Sequence, residues 1–140
     1  MTVFVADSSA GMKWFVPEIH SAHAQRLQDP AHELHAPSFF DVEMANIQWK
    51  KLQRGELARV EADDILKQLP GLPVTRHAEA PLIPAAFDLA VQTQRTVYDC
   101  LYLALAVQLG GQMATADQRL SNALSATAWS GYVCWIEDIP

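Results

Sequence analysis

Short β-prone runs alternate with helical segments along this chain, and few architectures accommodate that order. The runs are TVFVAD (2–7), HELHAP (32–37), VTRH (74–77), QMATAD (112–117) and YVCWIED (132–138). Between them lie SSAGMKWFV, whose small polar opening suits a helix start, then IHSAHAQRLQ after Pro17, and SFFDVEMANIQWKKLQR (38–54). ELARVEADDILKQL, APLIPAAFDLAVQTQ, VYDCLYLALAVQL (97–109) and DQRLSNAL complete the helical set. Gly55, the PGLP turn and Gly110–Gly111 supply stops, while Pro81 and Pro84 fall where a first helical turn tolerates proline. Strands that alternate with helices pair in parallel through crossovers, so the pattern predicts an α/β fold with a mostly parallel sheet. No linker, repeat or low-complexity stretch interrupts it, and residues 1–140 read as a single domain.

The longest uninterrupted apolar run, LYLALAV (101–107), is too short to span a bilayer, and MTVFVADSS lacks a basic region ahead of its apolar segment. A cytoplasmic protein with no membrane partner is expected. Cys100 and Cys134 have neither metal-ligand nor redox spacing and read as small core residues without a disulfide. A formal net charge of -6 argues against a general nucleic-acid coat protein, but not against nucleic acid held through metal ions.

One residue is out of place in this pattern. Asp99 opens an otherwise apolar helix, and a carboxylate there requires a hydrogen bond, a partner or a cation. In open α/β sheets ligands bind beyond the carboxyl ends of the strands. Asp7 ends the first run, Asp117 ends MATAD, and Asp99 begins the helix that leads into that later strand, so three acids can converge on one edge. Glu43 is a fourth: helical spacing puts Glu43, Asn46 and Lys50 on one stripe and Phe40, Met44 and Ile47 on another. Clustered carboxylates raise one another's pKa and call for a cation, and hard oxygen ligands select Mg²⁺ or Mn²⁺, ions suited to phosphoryl chemistry. Each acid alone also fits a plainer role: Thr96 with Asp99 as a capping box, Asp7 and Asp117 as N-caps, Glu43 as a solvated helix residue.

Four blocks together resemble the PIN-domain ribonucleases, specifically the VapC-type toxins of toxin-antitoxin pairs. VADSSAGMKWFVPE (5–18) is similar to the family's first strand and helix, and FDVEMANIQWKKLQRGEL (40–57) to its Glu-x-x-Asn helix. VYDCLYLALA (97–106) and MATADQRL (113–120) are similar to its third and fourth acidic motifs. The resemblance implies a three-layer sandwich with a parallel sheet of about five strands flanked by helices. It implies that Asp7, Glu43, Asp99 and Asp117 form the metal-binding and catalytic set, that the Ser9 and Thr115 hydroxyls support the site, and that Asn46 orients neighbouring groups. The implied reaction is Mg²⁺- or Mn²⁺-dependent hydrolysis of RNA to a 5'-phosphate and a 3'-hydroxyl. A VapB-type antitoxin that sends a basic side chain toward the carboxylates, and a homodimer, are the implied partners. Cys100 stands where a small residue such as Ala is usual, and Gly11 is expected to loosen the first helix.

Lys13, Lys50, Lys51 and Arg54 are candidates to flank the cleft and meet phosphates, although basic residues late in a helix also complement its dipole. His20 with His23, and His32 with His35, lack the companions of a zinc set and read as solvated surface. Trp14, Phe15, Phe39, Phe40 and Trp49 read as core, and the resemblance implies that part of this aromatic surface instead lines a groove for an antitoxin segment. A dehalogenase-like phosphatase would want an acid at Ser9, and a receiver domain would want paired acids at the end of the first strand. The remaining alternative is a catalytically inactive PIN-like module that binds RNA or protein.

Overall fold

A computed structural model describes residues 1–140. Five parallel strands form one sheet: β1 (Thr2–Ala6), β2 (His32–Pro37), β3 (Val74–His77), β4 (Gln112–Thr115) and β5 (Val133–Trp135), in the order β3-β2-β1-β4-β5. Phe4, Val5 and Ala6 are consecutive and all buried, so both faces of central β1 are covered, as a parallel sheet requires. The chain builds outward from β1 through β2 to β3, then returns to lay β4 on the other side of β1. The β1/β4 boundary is therefore a topological switch point, where open α/β sheets leave a crevice.

Seven α-helices flank the sheet: α1 (Ser8–Met12), α2 (Ser21–Gln25), α3 (Phe40–Gln53), α4 (Arg59–Gln68), α5 (Ile83–Thr93), α6 (Val97–Leu109) and α7 (Gln118–Ser125). The apolar α6 lies against β1, β2 and β4 and against α5, with every residue from Cys100 to Ala106 buried, and Gly110 ends it at φ 68°. One cluster of 33 buried apolar residues, including Phe4, Phe40, Leu103 and Met113, forms the core.

Several expectations need correction. The last strand stops at Trp135 rather than Asp138, because β4 ends at Thr115, the partner of Trp135, and nothing remains to pair with; Ile136–Asp138 turns into a 3-10 helix. The second helix starts only at Ser21, because His20 adopts a left-handed φ of 65°, and it tightens into a 3-10 turn from Arg26 to Gln28. Gly11 is a contact point rather than a loose joint: a Cβ there would meet the Phe40 ring at 2.8 Å, so its absence lets α3 pack onto α1. His35 is not solvated surface. It is 7% exposed, with Nε2 2.7 Å from Glu33 and Nδ1 2.8 Å from His77, since β2 is buried along Leu34–Pro37 and its polar group must find partners. His32 packs edge-on against Phe4, while Cys100 and Cys134 are buried free thiols.

Candidate active site

Strand ends position two of the acids. β1 and β4 stop at Ala6 and Thr115, and Asp7 and Asp117 follow as N-caps of α1 and α7. The Asp7 N–H donates to Ala114 C=O at 3.1 Å, which ties this turn to β4. Asp7 Oδ1 accepts from Ala10 N–H at 2.9 Å and from the Ser9 hydroxyl at 2.6 Å. Ser9 Oγ in turn accepts from Ala116 N–H at 3.0 Å, with the Thr115 hydroxyl 3.5 Å away. Thr115 Oγ1 accepts from Asp117 N–H at 3.1 Å, and Asp117 Oδ1 from Leu120 N–H at 3.1 Å. Ser9 and Thr115 thus join the two strand ends into one hydrogen-bonded turn.

Asp99 lies in the first turn of α6, with its N–H capped by the Thr96 hydroxyl at 3.1 Å. Half of the capping box is present; no hydrogen bond returns from Thr96 N–H to the Asp99 carboxylate. Glu43 projects from α3, and its Oε1 accepts from the Tyr102 hydroxyl at 2.5 Å and the Ser8 hydroxyl at 3.2 Å. Neither Tyr102 nor Ser8 was singled out from the sequence. The available signal was Tyr102 three residues after Asp99 in an apolar helix, where a buried phenol needs an acceptor.

Electrostatics bind the four acids into a set. Burial pushes Asp7 up to about 6, with Asp99 adding to the rise and Ser9, Thr115 and Ala10 pulling against it. Glu43 is raised by burial despite the Tyr102 and Ser8 hydrogen bonds, and Asp99 pushes it the same way. Asp99 itself is raised by burial and by the charge of Asp117, with the Thr96 hydroxyl and the charge of Arg95 pulling against them. Asp99 is therefore the hub, within Coulombic reach of each of the others. No Lys, Arg or His stands within salt-bridge distance of any of the four.

The remaining candidates separate. The Asn46 side chain is exposed, makes no hydrogen bond within the chain and lines a groove with Glu43 and Lys50. Lys13 is buried and paired with Glu18 at 3.1 Å; Lys51 pairs with Glu18 at 3.1 Å and Glu56 at 3.8 Å. These two are committed to structure, whereas Lys50 and Arg54 are exposed and unpaired. Phe40 is core, Trp14, Phe15 and Phe39 are half-buried, and Trp49 is 56% exposed.

The donor set is all oxygen. The hydrogen bonds to Asp7, Glu43 and Asp117 fall on one oxygen of each, and Asp99 has only the Thr96 hydroxyl beside it. No three side chains stand close enough to close around one ion. That combination fits a hard cation that keeps several waters and takes one or two carboxylates plus a substrate phosphate, the habit of Mg²⁺, rather than a dehydrated cage.

Known proteins place the chain in a family. The PIN domain sequence profile matches residues 4–123. The chain is similar to Ribonuclease VapC3 of Pyrobaculum aerophilum, 38% identical over 126 residues, which cover 87% of this chain and 95% of that one. Ribonuclease VapC3 of Mycobacterium tuberculosis is 30% identical over 119 residues, 85% of each chain. In fold it resembles the crystal structure of PAE2754 from Pyrobaculum aerophilum, with TM-score 0.71 at 22% identity, covering 97% of this chain and 85% of that one. This chain belongs to the PIN-domain family, within its VapC branch.

Proposed function

We infer that this protein is a metal-dependent endoribonuclease and the toxin of a VapBC-type pair. The observation that supports the reading is that Asp7, Glu43 and Asp117 each lie within reach of the Asp99 charge beside the β1/β4 switch point, with no protein cation in salt-bridge reach. Relatives at 38% and 30% identity are named ribonucleases of the VapC type. Buried like charges are costly to hold together unless a cation or its equivalent joins them.

In this reading one or two of the carboxylates of Asp7, Glu43, Asp99 and Asp117 would hold Mg²⁺ directly and the others through its waters, with Mn²⁺ as its substitute. When bound there, such an ion would supply Lewis acidity, neutralising phosphate charge and lowering the pKa of a water. The chain's own groups do the rest. Ser9 and Ala10 N–H fix the Asp7 carboxylate by Oδ1 and leave its other oxygen for a ligand. Tyr102 and Ser8 fix Glu43 by Oε1, so that Oε2, on a carboxyl with a raised pKa, is suited to accept the proton of the attacking water.

The same acids call for a basic antitoxin segment, since an Arg can bridge carboxylates bidentately and displace the cation. A homodimer is supported by Ile83, Phe87 and Val91, spaced four apart on α5 and 49%, 59% and 59% exposed, an apolar stripe that a second copy would cover. We place the protein in the cytoplasm with its RNA, acting as one domain around its single core cluster; no helix is long and apolar enough to cross a membrane. The test is purified protein incubated with total cellular RNA in Mg²⁺, Mn²⁺ or chelator, with the new ends mapped. Metal-dependent cuts bearing 5'-phosphate and 3'-hydroxyl ends are expected. RNA binding without cleavage in either metal would instead favour an inactive PIN-like module.

A further inference from the structure

Beside the acid cluster, on its Glu43 flank, lies a groove of about 430 Å³ whose wall includes Phe39, Glu43, Asn46, Lys50 and Tyr98. Its aromatic rings form a file. Tyr102, which holds Glu43, has its ring 5.1 Å from Phe39, and the Phe39 ring is 6.1 Å from Tyr98. Tyr98 is 66% exposed and its hydroxyl has no partner. Through Phe39 and Tyr102 the file leads from solvent to Glu43 of the acid cluster. A large aromatic left in water at such a place presents a π-face without demanding a hydrogen bond. Two exposed polar groups on α3 accompany it: Asn46, whose amide both donates and accepts, and Lys50, a cation outside any ion pair.

We propose that this groove is a nucleobase subsite, in which a base of single-stranded RNA stacks on Tyr98 and Phe39, Asn46 reads its edge, and Lys50 meets the adjoining phosphate. The inference rests on the ribonuclease reading and adds the side chains that would hold a base beside the acid cluster. Stacking on an aromatic platform requires a base that can leave a helix, so the substrate at this position is a single strand, loop or bulge. A net-negative chain has little long-range attraction for RNA, so local stacking has to supply much of the grip. The charges also fit: Lys50 lies on the α3 stripe of Glu43 and lines the same groove, giving the phosphate chain a cationic step beside an acid-rich centre.

The experiment uses the whole chain and its Tyr98→Ala, Tyr98→Phe, Asn46→Ala and Lys50→Ala variants. Binding of fluorescein-labelled single-stranded RNA is followed by anisotropy in chelator, cleavage kinetics and cut sites are followed in Mn²⁺, and molar mass is measured by light scattering. Tyr98→Ala weakens chelator-phase binding about tenfold, within the range measured for losing one stacked base, and raises KM with kcat nearly unchanged. Tyr98→Phe keeps parental binding. Lys50→Ala lowers the salt dependence of binding by about one phosphate contact, and Asn46→Ala relaxes the base preference next to the cut. Parental binding and KM in Tyr98→Ala, from a parent that does cleave, overturn the subsite and leave the ribonuclease reading intact. Loss of half the molar mass in Tyr98→Ala also overturns it, making the groove a contact between copies. A parent that cleaves no RNA overturns the ribonuclease reading and the subsite with it.

Discussion

The two halves of the sheet handle buried charge in opposite ways. Toward the carboxyl ends of β2 and β3, every polar group except Arg76 Nε is answered within the chain. His35 bridges Glu33 and His77, and the Arg76 guanidinium donates to Asp41 at 3.0 Å and to the carbonyls of Leu69, Leu72 and Val74. At the ends of β1 and β4 the acids receive hydroxyls and backbone N–H groups but no cation. A closed network stabilises a fold, whereas an acidic set whose nearest cations, Lys50 and Arg95, stand outside salt-bridge distance is arranged for something that arrives from outside.

Substitution should separate the halves most sharply. Asp7→Asn and Asp99→Asn keep the shape of the side chain and remove a charged oxygen, and are expected to lower metal-dependent RNA cleavage at least about a hundredfold, beyond what losing a mere supporting partner of a metal site costs. Their urea midpoints should stay at or above the parent's. Arg76→Met, on the opposite half, should lower stability by about 2 to 3 kcal/mol through the stranded carbonyls and Asp41, while the folded fraction cleaves at the parental rate. If Asp7→Asn unfolds the chain and Arg76→Met abolishes cleavage in folded protein, the division is wrong.

A subtler difference shows in pH. Asp7 rises from an ordinary 3.8 to about 6 on folding, so the folded state holds its proton more tightly than the unfolded chain does. A raised carboxyl stabilises the fold when protonated; the contribution is full below about pH 4 and is lost as pH climbs through about 6. About two pKa units correspond to about 3 kcal/mol. Glu43 and Asp99 are raised as well and act in the same direction. In chelator, the urea midpoint of the parent should fall from pH 4.5 to pH 7 by more than that of Asp7→Asn. Parallel curves for the two proteins would remove Asp7 from the set of strained acids.

How much of this was legible in the sequence follows from the range of the forces involved. The alternation of strands and helices and the caps at Asp7, Thr96 and Asp117 are local, set by β-branched runs, small polar residues and glycines, and they stand where the pattern puts them. The fit of Gly11 beneath Phe40, the Tyr102 bond to Glu43 across 59 positions, and the engagement of Lys13 and Lys51 by Glu18 are products of packing. Burial alone would raise Glu18, but hydrogen bonds and charge from those two lysines outweigh it and hold it low. Such pairings depend on which helix lands on which, and periodicity carries no record of that. Capping and metal binding also looked like rival explanations for Asp7 and Asp117. In three dimensions each cap uses Oδ1 and leaves the other oxygen for a ligand.

That shared duty makes the smallest expected effect the most discriminating. Mg²⁺ or Mn²⁺ binds the folded arrangement and hardly the unfolded chain, so metal should raise the melting temperature. At ten times the dissociation constant the gain is about 1.4 kcal/mol, a few degrees for a domain of this size. Asp117→Asn preserves an Oδ1 that can still accept from Leu120 N–H, so α7 keeps its cap, and one charge that raises Asp99 disappears. The metal-free variant should melt no lower than the parent, and slightly higher if the lost repulsion exceeds the few tenths of a kcal/mol by which capping residues differ. Its metal-induced shift should shrink. Asp41→Asn, which breaks an ion pair in the closed half, should show the opposite pattern: a lower melting temperature in chelator and an undiminished shift in metal. Melts of the three proteins at fixed ionic strength decide the matter. A parent that melts at one temperature with and without metal would leave the β1/β4 acids as helix caps and nothing more.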